Sequence, residues 1–344
     1  MPYLRNCWYL AAWSSELQAD GVLGRTLLDI PVALFRDGDG GVVAILDRCP
    51  HRFAPLSLGK SIDGALQCLY HGLRFGAGGK CVLNPYGAVP SGLRIPDFPA
   101  VERHRGVWVW MGDPDRADAE AIPDLGYLND YPETAFSSGY LKANAGYQLF
   151  VDNIMDLTHT EYLHASTLAG GFVDKIQPIV EDIGACIEVT WLAPDREPLP
   201  LVQRLHPEIE RADILTRTSW MPPSVMKITA GTLPVGSTEA DGLVNYNAHV
   251  MTPETETSTH YFFAATRNYR TDDVTLTESI ANARQTIFET EDKPMIEHVQ
   301  SRMGDQSFWD LRPIHLGAEG AAVRARRRLE RMIREEASTA PPAE

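Results

Sequence analysis

Long apolar runs are missing from this sequence. The stretch from Trp8 to Trp13 is too short for a signal core or a membrane span, and no later run approaches the roughly 18 apolar residues a membrane helix needs. The start, Met1-Pro2-Tyr3-Leu4-Arg5-Asn6, also lacks the basic start followed by a long apolar stretch that marks a secretory leader. Cysteine is scarce: Cys7, Cys49, Cys68, Cys81 and Cys186 are too few and too scattered for a disulfide framework. Basic charge is short as well, with 31 Lys and Arg against 46 Asp and Glu and a net charge of −15. Such an acidic body repels phosphate backbones and anionic lipid, which argues against nucleic acid and membranes as partners. No glycine fingerprint for a flavin or nicotinamide follows a strand. Together these absences set the expectation of a soluble, cytoplasmic protein.

What is present reads as two bodies. The 344 residues are 44% hydrophobic and 22% charged, an ordinary globular balance with enough chain for two domains. In the front third, Val32-Ala33-Leu34-Phe35-Arg36 and Val42-Val43-Ala44-Ile45-Leu46 are β-rich runs joined by Asp37-Gly38-Asp39-Gly40-Gly41, a hairpin signal. Val107-Trp108-Val109-Trp110-Met111 is a further strand closed by Asp113-Pro114. An Asp-, Ala-, Gly- and Pro-rich stretch over 113–132 sets the boundary, giving an all-β domain at 1–115 and a second domain at 116–344. Helical spacing covers 146–163, strand-like runs follow at 185–192, 224–230, 245–251 and 260–266, and a long helix spans 276–300 with a kink at Pro294. A last helix over 318–336 puts Ala322, Ala325, Leu329, Met332 and Ile333 on one stripe and its arginines on a solvated face, ahead of a frayed tail at 338–344. Strands and helices in separate blocks make the second domain, and the chain, α+β.

Two Cys/His pairs carry the first chemistry. Cys49-Pro50-His51 and Cys68-Leu69-Tyr70-His71 supply thiolate and imidazole, the ligands that zinc and iron–sulfur clusters select. A structural zinc site usually keeps its histidines together on a helix. Here each loop brings one cysteine and one histidine, the asymmetry a Rieske [2Fe–2S] cluster needs, with two thiolates on one iron and two imidazoles on the other. Gly72, next to His71, lets backbone approach closely. Such a centre relays electrons one at a time.

The second constellation is Asp152-Asn153-Ile154-Met155-Asp156-Leu157-Thr158-His159-Thr160-Glu161-Tyr162-Leu163-His164. His159 and His164 are five residues apart, roughly 140° around an ideal helix, so a π-bulge or a helix break before His164 is required for them to share a face. Two histidines with one carboxylate form the facial triad of non-haem Fe(II) oxygenases. Asp156, three residues before His159, is placed to orient it. The carboxylate ligand comes from Glu289, Glu291 or Asp292, among which spacing does not choose.

With both constellations in view the chain resembles the Rieske non-haem iron oxygenase family, closest to the oxygenase components of vanillate and dicamba O-demethylase. The resemblance runs through Asn6-Cys7-Trp8-Tyr9, Leu46-Asp47-Arg48-Cys49-Pro50-His51-Arg52-Phe53, Tyr70-His71-Gly72-Leu73, Val151 to His159, Thr252-Pro253-Glu254-Thr255-Glu256 and Arg267-Asn268. It implies that Cys49, His51, Cys68 and His71 hold the cluster, that His159, His164 and Asp292 hold a mononuclear Fe(II), and that His249 lies in the substrate pocket; Lys227, on a predicted strand of the second domain, is a second candidate contact for a substrate carboxylate. It also implies a head-to-tail homotrimer in which Asp156 carries electrons from His71 of one subunit to His159 of the next. The implied activity is O₂- and NAD(P)H-dependent O-demethylation of a methoxylated aromatic acid to a phenol and formaldehyde, served by a separate flavin/iron–sulfur reductase. The alternatives are hydroxylation of a ring or methyl group at the same iron and a non-catalytic Rieske electron carrier.

Overall fold

A computed structural model describes residues 3–171 and 173–339. The chain divides into two compact units, Met1–Asp124 with Thr252–Glu256 and Ile333–Glu344, and Leu125–Met251 with Thr257–Met332.

The first unit is built from short strands: β1 (Trp8–Trp13), β2 (Val22–Leu27), β3 (Ile30–Arg36), β4 (Val42–Leu46), β5 (Lys60–Ile62), β6 (Ala65–Gln67), β7 (Arg74–Phe75), β8 (Cys81–Leu83), β9 (Asp97–Phe98), β10 (Ala100–Arg103) and β11 (Gly106–Trp110). They form three sheets, ordered β1-β11-β10, β2-β3-β4-β9 and β5-β6-β7-β8. The expected β3–β4 hairpin is present, paired from Arg36 to Val42, and Asp37 fixes its turn by accepting from the backbone N–H of Asp39 and Gly41. The tryptophan-rich run at the N-terminal end is β1, buried along its whole length. Phe35, Ile45, Leu66, Phe75 and Ile95 form a core into which Cys49 and Cys68 are packed.

The second unit holds β12 (Ser137–Ala143), α1 (Tyr147–Met155), β13 (Ile179–Ile183), β14 (Cys186–Arg196), α2 (Pro200–Leu205), β15 (Ala212–Met221), β16 (Val225–Leu233), β17 (Leu243–Thr255), β18 (Ser258–Arg267), α3 (Val274–Ile287), α4 (Lys293–Met303) and α5 (Gly320–Thr339), the last residues of β17 and α5 counting with the first unit. Its seven-stranded antiparallel sheet runs β12-β18-β17-β16-β15-β14-β13. Three of these strands, β12, β13 and β15, escape the hydrophobic pattern because Ser, Thr, Lys, Glu and Arg occupy many of their positions.

The helices differ from expectation in instructive ways. The predicted 146–163 helix stops at Met155, where Asp156 turns extended (φ −124°, ψ 97°), and a 3₁₀ turn over Leu157–Glu161 follows. The break therefore comes ahead of His159 rather than just before His164. In the long helix the irregularity lies before Pro294: α3 passes into a π turn at Phe288–Asp292, and Pro294 sits in the first turn of α4. A proline in a regular helix would clash with the carbonyl four residues back, and the widened turn relieves this. The arginines of α5 are not all solvated. Arg326 is buried against Asp152, and Arg328 donates to Asp182 and to the carbonyls of Ala185 and Cys186. Ser338 and Thr339 extend α5, and the tail beyond them lies outside the described residues. No helix among the described residues is long and apolar enough to cross a membrane.

Candidate metal centres

The two Cys/His loops of the first unit share one backbone design. The Cys49 N–H donates to the Ala54 carbonyl and the Cys49 carbonyl accepts from Phe53 N–H (2.9 and 2.8 Å); Cys68 repeats this with Leu73 and Gly72 (2.9 and 3.0 Å). Both closures need a left-handed residue in fifth place, Phe53 (φ 61°) and Gly72 (φ 75°). Glycine enters that region freely, whereas phenylalanine does so at a cost of about 1 kcal/mol. Gly72 thus serves the turn by its positive φ. Asp47 clamps the first loop by accepting from the N–H and hydroxyl of Ser57 (2.7 and 2.5 Å).

This design turns the cysteines inward and the histidines outward. Cys49 and Cys68 are buried free thiols, while His51 is exposed and His71 half-buried, their rings 4.4 Å apart. Burial raises the Cys49 pKa, backbone N–H groups of His51 and Arg52 lower it, and the neighbouring Cys68 thiol raises it again. Two apposed thiols in an apolar floor and two imidazoles at the rim match the donor chemistry of a [2Fe–2S] group with unlike ends. Phe53, Leu69 and Tyr70 stand exposed around the rim.

In the second unit His159, His164 and Asp292 converge, each offering a ligand atom with all three atoms within 4.8 Å of one another. The break at Asp156 and the π turn at 288–292 make this possible. Both imidazoles are oriented through Nδ1. That of His159 lies 2.6 Å from the Asp156 carbonyl, and that of His164 lies 2.6 Å from Glu291 Oε2. Both Nε2 atoms then face Asp292 Oδ1, at 3.6 and 3.2 Å, and Asn153 donates to the same oxygen at 3.2 Å. Burial works to raise the Asp292 pKa, but the two histidines bring it down to about 2. Burial opposes charge on His164, yet Asp292 and Glu291 raise its pKa. A divalent cation fits where that proton sits, since metal and proton compete for the same lone pairs.

The three acids left open by spacing take three different places. Asp292 joins the histidines, Glu291 braces His164 and accepts from Thr167 (3.0 Å), and Glu289 accepts from Gln285 at the surface. Asp156 acts on His159 through its backbone. Its carboxylate Oδ1 caps the 3₁₀ turn, accepting from the N–H and hydroxyl of Thr158 (2.9 and 2.7 Å).

A cavity of about 520 Å³ opens beside this triad within the second unit. Its sheet wall follows the strand alternation: Asn245, Asn247 and His249 on β17 face it, with Ile228 and Ala230 on the neighbouring β16. His249 therefore lines the cavity. Lys227 does not, and here the sequence expectation is corrected. As a neighbour of Ile228 it points to the other side of the sheet, its ammonium lying 4.6 Å from the Tyr127 ring centre. His249 is bonded to Tyr261 (2.8 Å), and burial together with the charge of Arg284 lowers its pKa to about 3, so it is neutral. Sequence reasoning missed Asn153, Arg204, Asn245, Asn247 and Arg284, residue types too common on helices and strands to stand out.

Comparison with known proteins finds two matching families. Residues 7–99 match the Rieske [2Fe-2S] domain and residues 143–335 the vanillate O-demethylase oxygenase C-terminal domain. The chain is 44% identical over 337 residues to the oxygenase component of chloroacetanilide N-alkylformylase from Rhizorhabdus wittichii (97% of each protein). It is 38% identical over 341 residues to the oxygenase component of dicamba O-demethylase from Stenotrophomonas maltophilia (98% of this chain, 100% of the other). A crystal structure of dicamba monooxygenase bound to dicamba superposes with a TM-score of 0.90 at 37% identity, covering 98% of this chain and 99% of that one.

Proposed function

The chain belongs to the Rieske oxygenases with a vanillate O-demethylase-type C-terminal domain, and on that premise we propose that it is the terminal oxygenase that O-demethylates a methoxylated aromatic acid, giving a phenol and formaldehyde. The observation that carries this reading is the meeting of two imidazoles and one carboxylate at the wall of a cavity sized for a small ligand. Cys49, His51, Cys68 and His71 hold the [2Fe–2S] group, and His159, His164 and Asp292 hold a mononuclear iron. When bound, these groups supply single electrons and O₂ activation respectively.

The rest is done by the chain's own residues. The Asp156 carbonyl and Glu291 fix the imidazole tautomers, leaving each Nε2 lone pair free. Asn153 holds Asp292 so that one oxygen faces both histidines. Ile154, Leu157, Ile228, Ile287 and Phe288 provide apolar walls that exclude bulk water and seat a ring. One O₂, two electrons and two protons are consumed per methyl group. One oxygen enters the methyl carbon, whose hemiacetal collapses, and the other leaves as water. The electrons come from NAD(P)H through a separate reductase, in keeping with the relatives' description as oxygenase components.

The chain works as a head-to-tail homotrimer, in which the Asp156 carboxylate links His71 of one subunit to His159 of the next. In support, Asp156 is half-buried and its Oδ2 makes no hydrogen bond among the described residues. A second reading, oxidative removal of a group from nitrogen by the same chemistry, is favoured by the 44% identity to an N-alkylformylase component.

Purified protein with a competent reductase and a panel of methoxylated benzoates tests the reading. Formaldehyde release dependent on O₂ and NADH is expected, along with about three irons per chain by the ligand sets above. His159→Ala should keep the visible cluster spectrum and abolish release. Two irons per chain would leave only an electron carrier, and an aldehyde from N-alkyl anilides but not from methyl ethers would select the second reading.

A further inference from the structure

Arg284 lies on α3 and lines the same cavity as the metal-binding triad, yet among the described residues its guanidinium makes no hydrogen bond or ion pair. The buried arginines are served: Arg267 by Thr277 and two carbonyls, Arg326 by Asp152. Burial lowers the Arg284 pKa to about 10, which still leaves it charged at neutral pH. A half-buried cation without a counter-charge is costly, and a fork of N–H donors matches a carboxylate in two-point contact.

The other charges around the cavity point the same way. Among the described residues Asp292 is its one lining carboxylate and is committed to His159 and His164, while Arg204 adds a second, exposed cation. His249 is neutral and Lys227 is on the opposite sheet face, so neither competes with Arg284 for an anionic ligand. Arg284 and Asp292 are eight residues apart, about 12 Å along a helix axis. A ligand gripped at one and reacting beside the other has its two functional ends on opposite edges of a ring.

We propose that Arg284 determines specificity in this oxygenase by binding the substrate's carboxylate, so that the cavity selects anionic over neutral alkylated aromatics. The proposal rests on the dealkylation reading of the cavity, and its test is one of binding rather than turnover. Iron-loaded protein is titrated calorimetrically, without reductase, with 2-, 3- and 4-methoxybenzoate and with the matching uncharged methoxybenzamides. At least one acid should bind about 10–100-fold more tightly than its amide. Arg284→Leu should remove that preference while leaving cluster absorbance unchanged, and Arg284→Lys should restore part of it. If no acid outbinds its amide in the unmodified protein, or if the preference survives in Arg284→Leu, the assignment is overturned. Arg284-dependent acid binding without formaldehyde release from any acid would uphold it and count against the demethylase reading instead.

Discussion

Replacing Arg326 by methionine should destabilise the second unit by about 2–3 kcal/mol. The side chain on α5 is 7% exposed and grips Asp152 on α1 through contacts of 3.0, 2.8 and 2.6 Å. It also donates to Gln148 at 2.6 Å, and its guanidinium lies 4.1 Å from the Phe308 ring centre. Stripping one partner from a buried pair typically costs about 3–5 kcal/mol, because a charge is left behind. Asp152 keeps 23% side-chain exposure, so water recovers part of the loss, hence the lower figure. Pairing Arg326→Met with Asp152→Leu removes the stranded carboxylate and should be less damaging than Arg326→Met alone. The assay is urea unfolding followed by circular dichroism on both single variants, the double variant and the unmodified protein. A coupling above about 1 kcal/mol is expected, whereas additivity within about 0.5 kcal/mol would refute the account of α5 as tied to α1 by charge.

Three further outcomes follow from the metal-binding region. His249 has its pKa lowered to about 3 by burial and Arg284, so the unfolded chain takes up this proton first. The stability that neutral His249 contributes is complete above about pH 6.5 and is lost as pH falls toward 3. By pH 5 the loss is about 2 kcal/mol, and His249→Gln should flatten the profile between pH 7 and 5; parallel profiles would contradict this. Glu291→Gln should weaken iron retention about 10–100-fold, because the His164 ring loses its anionic brace; unchanged retention in a chelator competition would remove Glu291 from that role. Asp156→Asn should retain both kinds of iron yet slow single-turnover electron transfer, and unaltered kinetics would exclude the bridge between subunits.

How far these features could be read from sequence depended on whether the cause was local. The Cys/His loops were legible because their ligand types and tight turns lie within a few residues. What sequence missed there was the pair of matching backbone closures, since a left-handed phenylalanine at position 53 has no compositional mark. Asp292 could be chosen over Glu289 and Glu291 only through family resemblance, because the choice depends on a π turn that one-dimensional spacing does not contain. The same limit hid the break at Asp156, where an extended residue re-aims His159 within a run that looks helical. Lys227 and Arg284 show the limit in its sharpest form. A basic residue's reach into a cavity depends on strand parity or helix phase against distant walls, and nothing near it in sequence records that.

The widened turn at Phe288–Asp292, where Lys293 N–H bonds back to the Phe288 carbonyl, carries one residue more than a regular turn. Excising a single amino acid from it would let the segment heal into an ordinary helix, with little loss of backbone bonding. Everything downstream would keep its phase against α3, since Lys293 N–H and the Phe288 carbonyl would then close an ordinary turn, and Pro294 would lose the room that the widened turn gives its ring. One codon lost here would exchange a relaxed turn for a proline kink beside the carboxylate that meets both imidazoles.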